Sequence, residues 1–166
     1  GATDTGTATI TVNTTTSAPV ATDVTRTVNE EVDATNLLNA TDVNNDITHY
    51  RVPVLPPPAQ GELLLADGTP VTAGTNLTPA QAAGVIFRPT NEFSGTVTIN
   101  FVVEDGNAAT DNGTITINVT NVDDPPVATD ATVTPNPNQT VEIDLLATDQ
   151  ENNLTSITVD SLPTTL

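Results

Sequence analysis

The chain has 166 residues, with 21 acidic side chains against three basic ones and a formal net charge of −18. Phosphate backbones and anionic membrane surfaces are gripped by Lys and Arg, so this balance excludes nucleic acid as a partner and makes a cation the natural counter-partner. Cys, Met and Trp are absent, which removes disulfides, zinc thiolates and thiol nucleophiles together, and no run of about 18 apolar residues offers direct membrane insertion.

In chain order, residues 1–18 end in the uncharged TTTSA of positions 14–18, and PVATD at 19–23 opens a strand expected over 19–28. Further strands are expected near 32–39, 47–54, 62–72, 84–88, 96–104 and 113–122, because Thr, Val and Ile dominate and β-branched side chains pack well on a pleated surface. Alternation is plainest in the last two. Val97, Ile99, Phe101 and Val103 share one face, and Ile115, Ile117 and Val119 alternate with threonines. Turn signals at Asp67 and Gly68, Asp105 and Gly106, and Asp111 to Gly113 separate such runs. Pro56 to Pro58 form a stiff crossing, and Thr78 with Pro79 predicts an N-cap and first-turn proline of one short helical turn. Seven short strands in about 107 residues point to a sandwich of two antiparallel sheets.

After these strands comes NVDDP, followed by PVATD again at residues 126–130. The offset of 107 residues also brings Asp4, Gly6, Thr7, Thr9, Ile10 and Val12 onto Asp111, Gly113, Thr114, Thr116, Ile117 and Val119. Leu38, Ala40, Thr41 and Asp42 fall on Leu145, Ala147, Thr148 and Asp149, and Leu55 and Pro56 on Leu162 and Pro163. Such a repeat predicts a tandem array: the C-terminal strand of an upstream repeat at 1–18, a complete repeat at 19–125, and the N-terminal strands of a downstream repeat at 126–166.

Strands alternating in direction send successive loops to opposite ends of each repeat. Asn29, Glu30, Glu31, Asn91, Glu92, Asn121, Asp123 and Asp124 should gather at one end, and Asp42, Asn44, Asn45, Asp46, Asp105 and Asn107 at the other. In an array, the first group faces Asp149, Glu151 and Asn152 of the next repeat. Like charges this close repel by roughly 4 kcal/mol per pair at an effective dielectric of about 20, so a cation is required. Calcium fits, since it accepts six to eight oxygen ligands in flexible geometry, whereas transition metals want imidazole or thiolate and only His49 is present.

Three segments, ATDVNNDITHY (40–50), NEFSGTVTINFVVEDGN (91–107) and NVDDPPV (121–127), occur in the order found in a known family. The chain resembles the cadherin-like and immunoglobulin-like tandem repeats of large bacterial surface adhesins and secreted repeat proteins. That resemblance implies an all-β, seven-stranded antiparallel Greek-key sandwich repeated in tandem. It also implies calcium ligands at the second linker: Glu30, Glu31, Glu92, Asp123, Asp124, Asp149 and Glu151. At the first linker Thr16 and Ser17 replace the two aspartates, so a weaker site from Asp42, Asn44, Asp46 and Asp105, or none, is expected.

Each of these residues also has a plainer reading. A single surface acid is usually solvated charge, a lone His49 is a surface histidine, and Ser17, Ser94, Ser156 and Ser161 lack a GxSxG setting. Paired carboxylates could serve a glycosidase, but no aromatic platform accompanies them. Tyr50, Phe87, Phe93 and Phe101 are expected in the core. The AsnXaaThr triplets at Asn76, Asn112 and Asn118 arise by composition. The expected protein is therefore no enzyme but a secreted or cell-surface spacer whose partners are neighbouring repeats, stiffened by calcium. The alternatives are a glycan- or protein-binding adhesion module using residues 62–84, and a filament subunit that self-associates through exposed strand edges.

Overall fold

The computed structural model describes residues 1–11, 16–134 and 136–161. Val12, Leu162 and Pro163, three of the residues matched by the repeat, lie outside the described residues. The chain divides into two compact units, Gly1–Thr120 and Asn121–Leu166.

In the first unit, residues 1–11 carry no strand. Among the described residues nine strands follow: β1 (Val20–Thr22), β2 (Val24–Asn29), β3 (Asn39–Thr41), β4 (Ile47–Arg51), β5 (Gly61–Leu64), β6 (Asn76–Leu77), β7 (Ile86–Pro89), β8 (Gly95–Asp105) and β9 (Thr110–Thr120). One layer is a five-stranded sheet in the order β2-β9-β8-β4-β6. The other is built from the pairs β1–β3 and β5–β7, with Ala34 bridging to Phe87 of β7. The unit is an all-β, immunoglobulin-like sandwich.

The core follows from period two. Val97, Ile99, Phe101 and Val103 of β8 and Ile115, Ile117 and Val119 of β9 are buried, together with Phe87, Leu63 and Leu37. Each such side chain withdraws apolar surface worth about 1.5–3 kcal/mol relative to exposure. Tyr50, Phe87 and Phe101 belong to this core, and Phe93 packs against it.

Three sequence expectations are corrected. The sheets are not purely antiparallel: the strand expected over 19–28 breaks at Asp23, β1 stays antiparallel to β3, and β2 crosses to run parallel to β9. Asp23 makes the crossing by accepting a hydrogen bond from the Thr114 N–H at 2.7 Å, while Asp111 accepts one from Ala21 N–H at 2.9 Å. The strand expected over 62–72 is a hairpin, because the Asp67–Gly68 turn folds residues 69–71 back so that Val71 N–H donates to Leu63. Of the strand expected over 32–39, only the Ala34 bridge and the start of β3 remain. The short helix α1 (Pro79–Ala83) has its Thr78 N-cap, completed by Gln81 in a capping box.

The second unit contains β10 (Val127–Thr129) and β11 (Leu146–Thr148). Their register, Val127 to Thr148 and Ala128 to Ala147, repeats that of β1 and β3, Val20 to Thr41 and Ala21 to Ala40, at the same 107-residue spacing. No helix among the described residues is long and apolar enough to cross a membrane.

Candidate metal sites

Both ends of the first unit carry a buried acid, and in each case the alternation of a strand puts it there. The inward stripe of β8 runs Val97, Ile99, Phe101, Val103 and then Asp105, which is 2% exposed. Along β2 the same parity continues from Val24 through Val28 to Glu30, 4% exposed. A carboxylate so placed must find charge or hydrogen bonds to offset lost hydration.

Around Asp105 the loop between β3 and β4 closes on the turn between β8 and β9. Asp42, Asp46 and Asp105 each offer a carboxylate oxygen, and these three atoms lie within 4.8 Å of one another. The turns hold one side of each carboxylate. Asp105 Oδ1 accepts from the backbone N–H groups of Asn107 and Ala109, both at 2.8 Å. Asp46 Oδ2 accepts from the Asn107 amide at 3.1 Å, and Asp42 Oδ1 from Asn44 N–H at 2.6 Å. The second oxygens, Asp42 Oδ2, Asp46 Oδ1 and Asp105 Oδ2, are inaccessible and have no hydrogen-bond partner among the described residues. Burial raises the pKa of Asp46, and the neighbouring carboxyl of Asp42 and charge of Asp105 raise it further. Asn44, also expected here, uses its amide oxygen to accept from Ser17 N–H at 2.8 Å.

At the other end of this unit, Glu30 N–H donates to the Thr120 carbonyl at 2.9 Å, which fixes the loop after β2 beside the end of β9. Glu31 and Glu92 are exposed and hold left-handed backbones, with φ of 66° and 63°. For a residue with a Cβ this costs on the order of 1 kcal/mol.

In the second unit, Asp123, Asp124 and Asp149 line one cavity of about 440 Å³. Asp124 and Glu151 present carboxylate oxygens within 4.8 Å of each other, and Asp124 N–H donates to Glu151 Oε2 at 3.2 Å. Glu151 Oε1 is inaccessible and has no hydrogen-bond partner among the described residues. Asn153 draws the set together, its amide donating to Asp123 and its backbone N–H to Asp149 Oδ1 at 3.1 Å. The sequence reading missed Asn153, although the repeat offset places it on Asp46.

The offset also aligns the two linker contacts. Ser17 to Asn44 in the first unit and Asp124 to Glu151 in the second are the same backbone-to-side-chain hydrogen bond 107 residues apart. Between the copies, charge changes places. Thr16, Ser17 and Asn44 become Asp123, Asp124 and Glu151, whereas Asp46 becomes Asn153. Either set suits a hard, oxygen-seeking cation.

His49 lies 3.2 Å from Glu104 across the β4–β8 pair. A cavity of about 350 Å³ is lined by Leu55, Pro56, Leu63, Pro70, Val71 and Pro89 among others, with no aromatic side chain in its wall.

A family model described as bacterial Ig domain matches residues 16–118. Among solved structures, the chain is similar to the extracellular cadherin domains 1–4 of protocadherin gamma B7, with 18% identity and a TM-score of 0.40. That similarity covers 80% of this chain and 33% of the protocadherin chain, so this chain spans about a third of it. No curated protein matches.

Proposed function

We propose, because this chain belongs to the bacterial Ig domain family, that it is a non-enzymatic spacer from an extracellular tandem array and that calcium stiffens the junction at Asn121 to Val127. The observation that carries this reading is the gathering of Asp123, Asp124, Asp149 and Glu151 at the entrance of the second unit. Four carboxylates there repel one another until a divalent ion neutralises them. Glu30, Glu31 and Glu92, from the preceding repeat, are the proposed further ligands. Pro125 and Pro126 already restrict the backbone, so an ion fixing the flanking carboxylates removes most of the remaining freedom.

The array is proposed as an end of one repeat at 1–18, a complete repeat at 19–125 and the start of another at 126–166. The repeated register of β1–β3 and β10–β11 supports it. The spacer holds a terminal adhesive domain away from the cell, and its lysine-free acidic surface keeps neighbouring arrays apart. The adhesion-module alternative is less favoured, since all four aromatics serve the core and none lines the apolar cavity.

Isothermal calorimetry of the full chain with calcium, against a variant carrying Asp123→Asn and Asp124→Asn, tests this reading. A binding heat that weakens at least tenfold in affinity in the variant is expected. Equal binding by both proteins would refute the junction site.

A further inference from the structure

We infer that residues 3–11 of one molecule add as a strand to the second unit of another, so that copies of this chain join head to tail. This goes beyond the spacer reading and does not depend on calcium at the junction.

The pair β2–β9 carries the inference, because the sequence spells it a second time in two separate places. The 107-residue offset puts residues 3–11 on 110–118 of β9, and residues 131–134 on 24–27 of β2. In the first unit these strands run parallel, with Val24 beside Ile115 and Thr27 beside Asn118. Neither repeated segment forms a strand, and Ile10, which falls on the buried Ile117, is 85% exposed.

The contacts that place β9 are repeated as well. Asp23 accepts from Thr114 N–H, and Asp111 from Ala21 N–H. Their counterparts are Asp130 with Thr7 and Asp4 with Ala128, the same residue types divided between the two segments, and all four are exposed. Gly6 stands where Gly113 lets the strand approach Ala21.

The accepting unit has an uncovered apolar set. Val141, Leu145, Ile157 and Val159 fall on the buried Ala34, Leu38, Tyr50 and Val52, yet they are 41%, 53%, 47% and 55% exposed. Exposed apolar surface of this kind marks an interaction site, and an added strand supplies main-chain hydrogen bonds together with apolar side chains.

Two features point to a second copy as the donor. Thr120 lies where β2 ends, and Ala21 sits beside Asp111 at the opposite end of β9, so residues 1–18 and 121–166 leave the first unit from opposite ends. Each molecule also has one surface to give and a different one to accept, a heterologous contact that builds chains or rings. The net charge of −18 opposes approach, so association should strengthen with salt.

Sedimentation velocity of the full chain in chelator and moderate salt, from micromolar to millimolar concentration, tests this apart from any calcium site. Species larger than the monomer should accumulate with concentration. Thr7→Pro removes the N–H destined for Asp130, at a position that carries no strand, and should weaken association by about tenfold or more. Because cysteine is absent, Thr9→Cys combined with Thr132→Cys, the counterparts of the paired Thr116 and Thr25, should give a covalent ladder of multimers on mild oxidation. Thr9→Cys combined with Thr72→Cys should give far less. Monomer at every concentration, association indifferent to Thr7→Pro, equal ladders from the two cysteine pairs, or a monomer closed by an internal disulfide overturns the inference.

Discussion

Asp46 shows how a single residue responds to its surroundings. Burial and the nearby Asp42 and Asp105 raise its pKa above the ordinary aspartate value, so in calcium-free buffer the fold favours its protonated form. That contribution to stability is fully present below the unfolded pKa and is lost as pH rises through the higher folded one. Asp46→Asn has no proton to lose. The difference in unfolding free energy between variant and parent, measured by urea titration in chelator, should therefore grow in the variant's favour as pH rises from about 3 toward 6. A difference constant across that range would contradict the placement of Asp46 among acids. Part of this cluster was legible beforehand: strands alternating in direction bring the loops that carry Asp42, Asp46 and Asp105 to one end, where the three carboxylates meet. The burial of Asp105 was legible too, since the parity of 97, 99, 101 and 103 extends one step further into the turn. The role of Asn153 needed three-dimensional placement, since an amide that draws two acids together carries no signal in local sequence.

Among the elements, β8 and β9 were the most legible, because each alternates over many residues and both faces of the pattern agree. The division of the first strand into β1 and β2 was not, because it depends on Asp23 and Asp111 accepting hydrogen bonds from strands distant in sequence. The hairpin after β5 was signalled by Asp67 and Gly68, yet the strand expected over 62–72 runs straight through that turn. The β8–β9 pair also contains a sharp steric requirement. Gly113 sits opposite Phe101, and a Cβ there would overlap the Phe101 ring and press on Ala21. Gly113→Ala should cost about 1–3 kcal/mol through overpacking, read as a lower urea midpoint at unchanged slope. An unaltered midpoint would mean that β1 and β8 pack less closely than described.

For the whole molecule, the two copies of the linker and loop present the same hydrogen-bonded frame with different charges. In the first, the acids belong to the sandwich itself; in the second, they extend into the linker. In the proposed reading, repulsion among the linker carboxylates loosens the joint without the ion, and the same carboxylates become its ligands when calcium is bound.

Small-angle X-ray scattering of the full chain in millimolar calcium and in chelator tests the stiffening most directly. The account predicts a narrower set of interunit distances and a larger maximum dimension in calcium, both lost on chelation and in the Asp123→Asn, Asp124→Asn variant. Superimposable scattering curves for the parent chain in the two buffers would contradict it.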